Sequence, residues 1–161
     1  MKILSIETSC DETAISIVEV KDGANLVFKV LGNAVASQIE LHAQYGGVFP
    51  MMAKREHAKN FSPLLLKVLK EAKLAKKRTT GKNIDEKKLS IAKEMLTREE
   101  GLYSEITKLY RAYTDPKIDA LAVTTGPGLE PTLWVGISAA KALATLWNLS
   151  LIHISEPTRL R

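Results

Sequence analysis

Apolar and polar side chains alternate through ILSIETSCDETAISIVEV, residues 3–20, and this alternation restricts the chain more than any other feature. Leu4 and Ile6 oppose Ile3, Ser5 and Glu7, and Ile15 and Ile17 oppose Ala14, Ser16 and Val18. A period of two places each set on one face of a strand. Residues 2–8 and 13–20 therefore read as antiparallel strands. Asp22 to Asn25 turn the chain into a third strand over 26–36. A three-strand meander at the N-terminus excludes a Rossmann start, where a helix follows the first strand. The first connection, Thr8 to Thr13, holds two adjacent carboxylates and no glycine. Asn-Gly or Gly-Asp would turn a hairpin at lower cost.

The rest alternates in type. Gly46-Gly47 and Pro50 break the chain and start a helix through MAKREHAKN. Phe61, Leu64, Leu65, Val68, Leu69 and Ala72 define a second amphipathic helix, which Pro63 enters within its first turn. KKRTTGKN is a polar break, and 84–96 and 102–113 read as two further helices stopped by Thr114-Asp115-Pro116. IDALAVTTG reads as a buried strand. PGL then turns into a helix over 130–147, rich in small residues suited to close packing.

At 161 residues the chain is one domain or one lobe of a larger protein. It has no apolar run near the ~20 residues of a membrane span, and MKILSIETSCDET does not read as a signal peptide. A cytoplasmic protein with no membrane partner is expected. Cys10 is the single cysteine, so an internal disulfide and a cysteine-based metal site are excluded. The net charge is +5, and residues 67–98 carry eleven Lys/Arg against four Asp/Glu, or +7. That stretch could contact phosphates or be a solvated lysine-rich face.

Three constellations could carry chemistry. In the first turn, the Ser9 and Thr13 hydroxyls and the turn amides could hold a phosphate, with a carboxylate of Asp11 or Glu12 beside it. The alternative is an Asx turn in which Asp11 caps its own backbone. In TTGPGL, Gly126 and Gly128 lie between a strand and a helix start, which suits a phosphate cradle and equally a tight connection. His42 and His57, fifteen residues apart, match no i, i+4 metal pair and read as packing or capping residues.

ILSIETSCDETAISIVE, SQIELHAQYGGVFPMMAKREH and IDALAVTTGPGLEPTLWVGISAAKALATLWN follow one another in this order. Over 2–74 and 117–148 the chain resembles the N-terminal lobe of the tRNA threonylcarbamoyladenosine transferase (TsaD) family, also labelled glycoprotease or O-sialoglycoprotein endopeptidase. The resemblance implies an α/β fold of the actin/Hsp70/sugar-kinase type (ASKHA, ribonuclease H-like): a single lobe with an N-terminal β-meander and flanking helices. It implies transfer of a threonylcarbamoyl group from threonylcarbamoyl-AMP to the exocyclic amine of the adenosine 3′ of the anticodon, in tRNAs reading ANN codons. Asp11 is then the catalytic carboxylate, and Ser9, Glu12, Thr13, Gly126 and Gly128 approach the nucleotide phosphate. The implied partners are tRNA, a TsaB-like paralogue and a TsaE-like ATPase if the source is bacterial. The implied cofactor is one iron or zinc ion.

This sequence departs from the family pattern in three places. The N-H-x-x-x-H metal motif expected soon after Trp147-Asn148 is absent, His153 does not replace it, and no metal ligand is assigned in this chain. LSLIHISEPTR looks like a translated sequencing adapter, so 149–161 is expected to be a non-native tail on a lobe of residues 1–148. A basic helical insertion occupies about 75–115, on a surface connection. A lobe of this extent is expected to be inactive alone. The rival readings are a non-catalytic partner-binding subunit, a metalloprotease, which would need a zinc helix absent here, and a sugar kinase, which would carry a glycine-richer turn.

Overall fold

The computed structural model describes residues 1–21, 23, 25–79 and 84–150. The turn at Asp22 and Ala24, the break at 80–83, His153 and the tail from 151 onward lie outside the described residues. Strands β1 (Lys2–Glu7), β2 (Glu12–Lys21) and β3 (Val27–Ser37) form the expected antiparallel meander. Strand β4 (Ala120–Val123) joins β1 in parallel, giving the order β3-β2-β1-β4. The result is a mixed sheet with flanking helices.

Period-two patterning sets which face is covered. Leu4, Ile6, Ile15 and Ile17 are almost fully buried on one side, while Ser5, Ala14, Ser16, Asn33 and Ala122 line a shallow concavity of about 300 Å³ on the other. Helix α2 (Pro50–Glu71) covers β2 and β3, and helix α5 (Glu130–Trp147) covers β1 and β4. Helices α3 (Glu86–Met95) and α4 (Leu102–Ala112) form an outer layer, α3 on α5 and α4 on α2.

Four expectations change. The two helices read across 50–72 are one, because Ala53, His57, Phe61, Leu65 and Val68 continue a single buried stripe. Pro63 sits inside it and removes one i→i−4 bond, at a turn where Pro63 and Lys59 are both exposed. A short helix α1 (Ile39–Ala43) precedes it, unread in the sequence. Strand β4 is half-buried rather than buried, because it is the sheet edge and its lower face is open. The α3–α4 hairpin is no loose surface appendage: Leu89, Leu96, Leu102 and Ile106 are at most 2% exposed and join the main core.

Candidate functional site

The β1–β2 turn and the β4–α5 turn meet at one end of the sheet. The Ser9 carbonyl accepts from the Leu129 amide (2.8 Å) and from the Thr132 hydroxyl (2.9 Å), which joins the acidic turn to the start of α5. A Cβ on Gly128 would lie 2.6 Å from that carbonyl oxygen, so the approach requires glycine. One residue earlier, the Thr8 hydroxyl donates to the Thr132 carbonyl (2.8 Å) and accepts from the Gly136 amide (3.1 Å). These are the acceptor and donor of one α5 turn, so a buried threonine fastens strand to helix through the helix backbone.

His57 props the turn from below. The ring is fully buried, with Nε2 3.1 Å from the Cys10 carbonyl and Nδ1 2.7 Å from the Thr13 hydroxyl. A carbonyl only accepts, so Nε2 carries the proton and Thr13 donates to Nδ1. Gln38 adds a second strut. Its amide donates to the Asp11 carbonyl (2.8 Å), and its side chain meets His42 Nε2 (3.0 Å) and the Ala53 carbonyl (3.5 Å). The Phe49 amide donates to His42 Nδ1 (3.4 Å). Both histidines hold backbone in place, as capping and packing residues do.

Glu7, rather than Asp11, closes the turn: its carboxylate accepts from the Ser9 amide at 2.6 Å. The Asx turn centred on Asp11 is not formed, and among the described residues the Asp11 carboxylate takes no backbone amide. Burial pushes the Glu7 carboxyl upward, but hydrogen bonds from Ser9 and Thr124 and the nearby His57 outweigh it and hold Glu7 below its ordinary range. Burial of His57 pushes its imidazole below the ordinary value, against the opposing pull of the Cys10 carbonyl, Glu7 and Asp11.

Both shifts favour the folded state at neutral pH, since the unfolded chain binds these protons more readily. Stability is therefore expected to be level above about pH 6.5 with respect to these groups. It should fall as His57 protonates below that value, and fall again below the ordinary Glu range. Urea midpoints measured from pH 7.5 to 4 test this, and a midpoint that rose on acidification would contradict it.

Of the six residues expected at the site, five share the rim. Ser9 and Asp11 are half-buried, Glu12, Gly126 and Gly128 are exposed, and the two turns bring them together. Thr13 is not with them: it is fully buried beneath the turn, with its hydroxyl spent on His57. The helix-start cradle is also narrower than expected. The Leu129 amide is taken by Ser9 and Pro131 has none, while among the described residues the amides of Gly126, Gly128 and Glu130 make no backbone bond. Glu7, Thr8, Gln38 and Thr132 were missed as supports, whereas His57 has the packing or capping role expected of it. Glu7 alone carried a signal, as an acid two residues before the turn serine.

Among the described residues no three His, Cys, Asp or Glu side chains gather as a metal site. The nitrogens of His42 and His57 are all engaged, so the donors present do not fit the metal implied by the resemblance.

Residues 29–81 and 107–158 match the family model described as TsaD, tRNA N6-adenosine threonylcarbamoyltransferase. A tRNA N6-adenosine threonylcarbamoyltransferase of Persephonella marina is 36% identical over 154 residues, covering 96% of this chain and 32% of the relative. One from Dehalococcoides mccartyi is 37% identical over 156 residues, covering 97% and 34%. The chain thus spans about a third of the length of these curated relatives. A solved RuvC structure from Thermus thermophilus aligns over 92% of this chain and 95% of its own at 13% identity, with a TM-score of 0.24, too low to bear on the fold.

Proposed function

This chain belongs to the tRNA N6-adenosine threonylcarbamoyltransferase family, and on that premise we propose that its two joined turns form one wall of a cleft for acyl transfer to tRNA. The bond between Ser9 and Leu129 carries the reading, because it joins the turn that holds Asp11 and Glu12 to the turn that holds Gly126 and Gly128. In the reaction the adenosine amine attacks the carbonyl carbon of threonylcarbamoyl-AMP. A C–N bond forms, the C–O bond to phosphate breaks, and AMP departs with the electron pair. The glycine amides offer donors to the phosphate. The Asp11 carboxylate, free of backbone bonds, can orient the amine or a water and take the proton it releases.

The structure's support for an actin/Hsp70/sugar-kinase lobe is the meander with a parallel fourth strand and turns meeting at one sheet end. The reading of 75–115 as an insertion is supported over a narrower range, since 82–106 lies between the two matched segments. TsaB-like and TsaE-like partners, a cytoplasmic location and a non-native tail rest on the sequence alone. Among the described residues no helix is long and apolar enough to cross a membrane. No step here is routed through a metal.

Asp11→Asn, in a chain extended to the length of its relatives, is expected to lower transfer to tRNA about 100-fold with no change in thermal unfolding. An unchanged rate would remove Asp11 from the mechanism. The 161-residue chain alone is expected to form no product, since it offers the adenylate one wall. Product from it would overturn that expectation.

A further inference from the structure

Folding relocates the positive charge. The hairpin of α3 and α4, residues 84–113, holds six Lys/Arg and six Asp/Glu and is neutral. Residues 67–79 hold Lys67, Lys70, Lys73, Lys76, Lys77 and Arg78 against Glu71 alone, a net of +5. This segment is the end of α2 and its connector, at the pole of the sheet opposite the two turns. Lys117 lies beside it, and a concavity of about 430 Å³ there is lined by Lys73, Lys76, Arg78 and Lys117 with Leu74, Thr114 and Asp115.

Lys67, Lys70, Lys73, Lys76, Lys77 and Lys117 are exposed and, among the described residues, in no ion pair, while Arg78 pairs with Asp115 at 3.7 Å. Glu71 turns away, accepting from the Asn33 amide on β3 at 3.2 Å. Arg78 is structural. Its guanidinium lies 5.2 Å from the Tyr110 ring centre and donates to the carbonyls of Tyr110 (3.2 Å) and Tyr113 (3.0 Å). The Arg78 amide bonds Ala112 and the Thr114 amide bonds Lys76, so the connector is a fixed platform for the lysines around it. Helix-end electrostatics account for Lys70, but Lys76, Lys77 and Lys117 lie outside the helix.

We propose that this pole binds the phosphate backbone of a folded RNA. A protein interface would offer an apolar centre, yet among the residues lining this concavity Leu74 is the one large apolar side chain, and it is half-buried. From His57, under the turn, to Glu71, the last residue of α2, is fourteen residues, about 21 Å at helical rise. An adenylate cannot span that distance. One strand of a nucleic-acid duplex, with charges about 3.4 Å apart, covers it in about six nucleotides. That the RNA is the tRNA presented to the turns rests on the function proposed above.

The test is tRNA affinity against salt concentration for the 161-residue chain, for Lys70→Gln/Lys76→Gln/Lys77→Gln, and for Lys87→Gln/Lys93→Gln/Lys108→Gln on the neutral hairpin. The pole variant is expected to bind about tenfold more weakly at ~0.1 M salt, with the log–log salt slope shallower by about 2. The hairpin variant should match the parent chain. An unchanged slope in the pole variant, or an equal loss in the hairpin variant, overturns the proposal and leaves the transferase reading standing. No tRNA binding by the parent chain overturns the pole. Equal binding of the parent chain to phosphatidylserine vesicles, lost in the pole variant while tRNA binding is kept, assigns the pole to lipid and overturns it too.

Discussion

His57→Ala is expected to lower folding stability by about 4 kcal/mol, the largest effect of any substitution near the site. The ring is fully buried between the Thr13 hydroxyl and the Cys10 carbonyl. Truncation leaves a cavity, which costs about 2 kcal/mol or more in a packed interior. It also strands two buried polar atoms, at about 1 kcal/mol or more each. Lys59→Ala, two residues along the same helix but exposed, should change stability by less than about 0.5 kcal/mol. Urea unfolding of the two variants decides the matter. A loss below about 1 kcal/mol for His57→Ala would mean that the turn does not rest on this ring.

Gly136→Ala is the second, and its value lies in its sign. Glycine inside a helix costs about 1 kcal/mol relative to alanine, so local propensity predicts stabilisation. The tertiary structure predicts the reverse. A Cβ there would lie 2.6 Å from the Thr8 hydroxyl and 3.3 Å from methyl carbons of Ile6 and Val123. The hydroxyl would be expelled from between the Thr132 carbonyl and the Gly136 amide, and α5 would lift off β1. A net loss of about 2 kcal/mol is expected. Because α5 also carries the Leu129–Ser9 contact, the amides of Gly126 and Gly128 should become more accessible to hydrogen exchange in this variant. A stabilised Gly136→Ala would show that the strand and helix can separate without cost.

Much of the sheet was legible because alternation is a local property. The bounds of β1, β2 and β3 follow from which side chains share a face, and the helices over 84–96, 102–113 and 130–147 follow from apolar spacing and breakers. The single helix α2 was not legible. Proline at position 63 is a local warning, and only the continuous buried stripe beneath it overrides that warning. The half-exposure of β4 was equally hidden, since ALAV looks the same in a central strand as at an edge.

The acidic turn shows the same division. Its residue types and its pairing with TGPG marked the site and the family. Which carboxylate closes the turn was decided by distances across it: Glu7 reaches the Ser9 amide, and that leaves Asp11 free. Thr13 looked like part of the rim, but the pleat turns it inward to His57. The charge run was read along the chain as one basic stretch. The α3–α4 hairpin carries compensating acids, as in the pair of Arg111 with Glu86, so the excess remains at the end of α2.

Sequence alone therefore determined the strand meander, the helix-rich remainder, the family and the two turns, because each depends on near neighbours or on a motif. Tertiary structure alone decided that Thr8, Gln38 and His57 hold the site, and where the free positive charge gathers. Both depend on atoms from segments 25 to 128 residues apart meeting within hydrogen-bond range. That proximity is set by how α2 and α5 pack on the sheet, which no local pattern encodes.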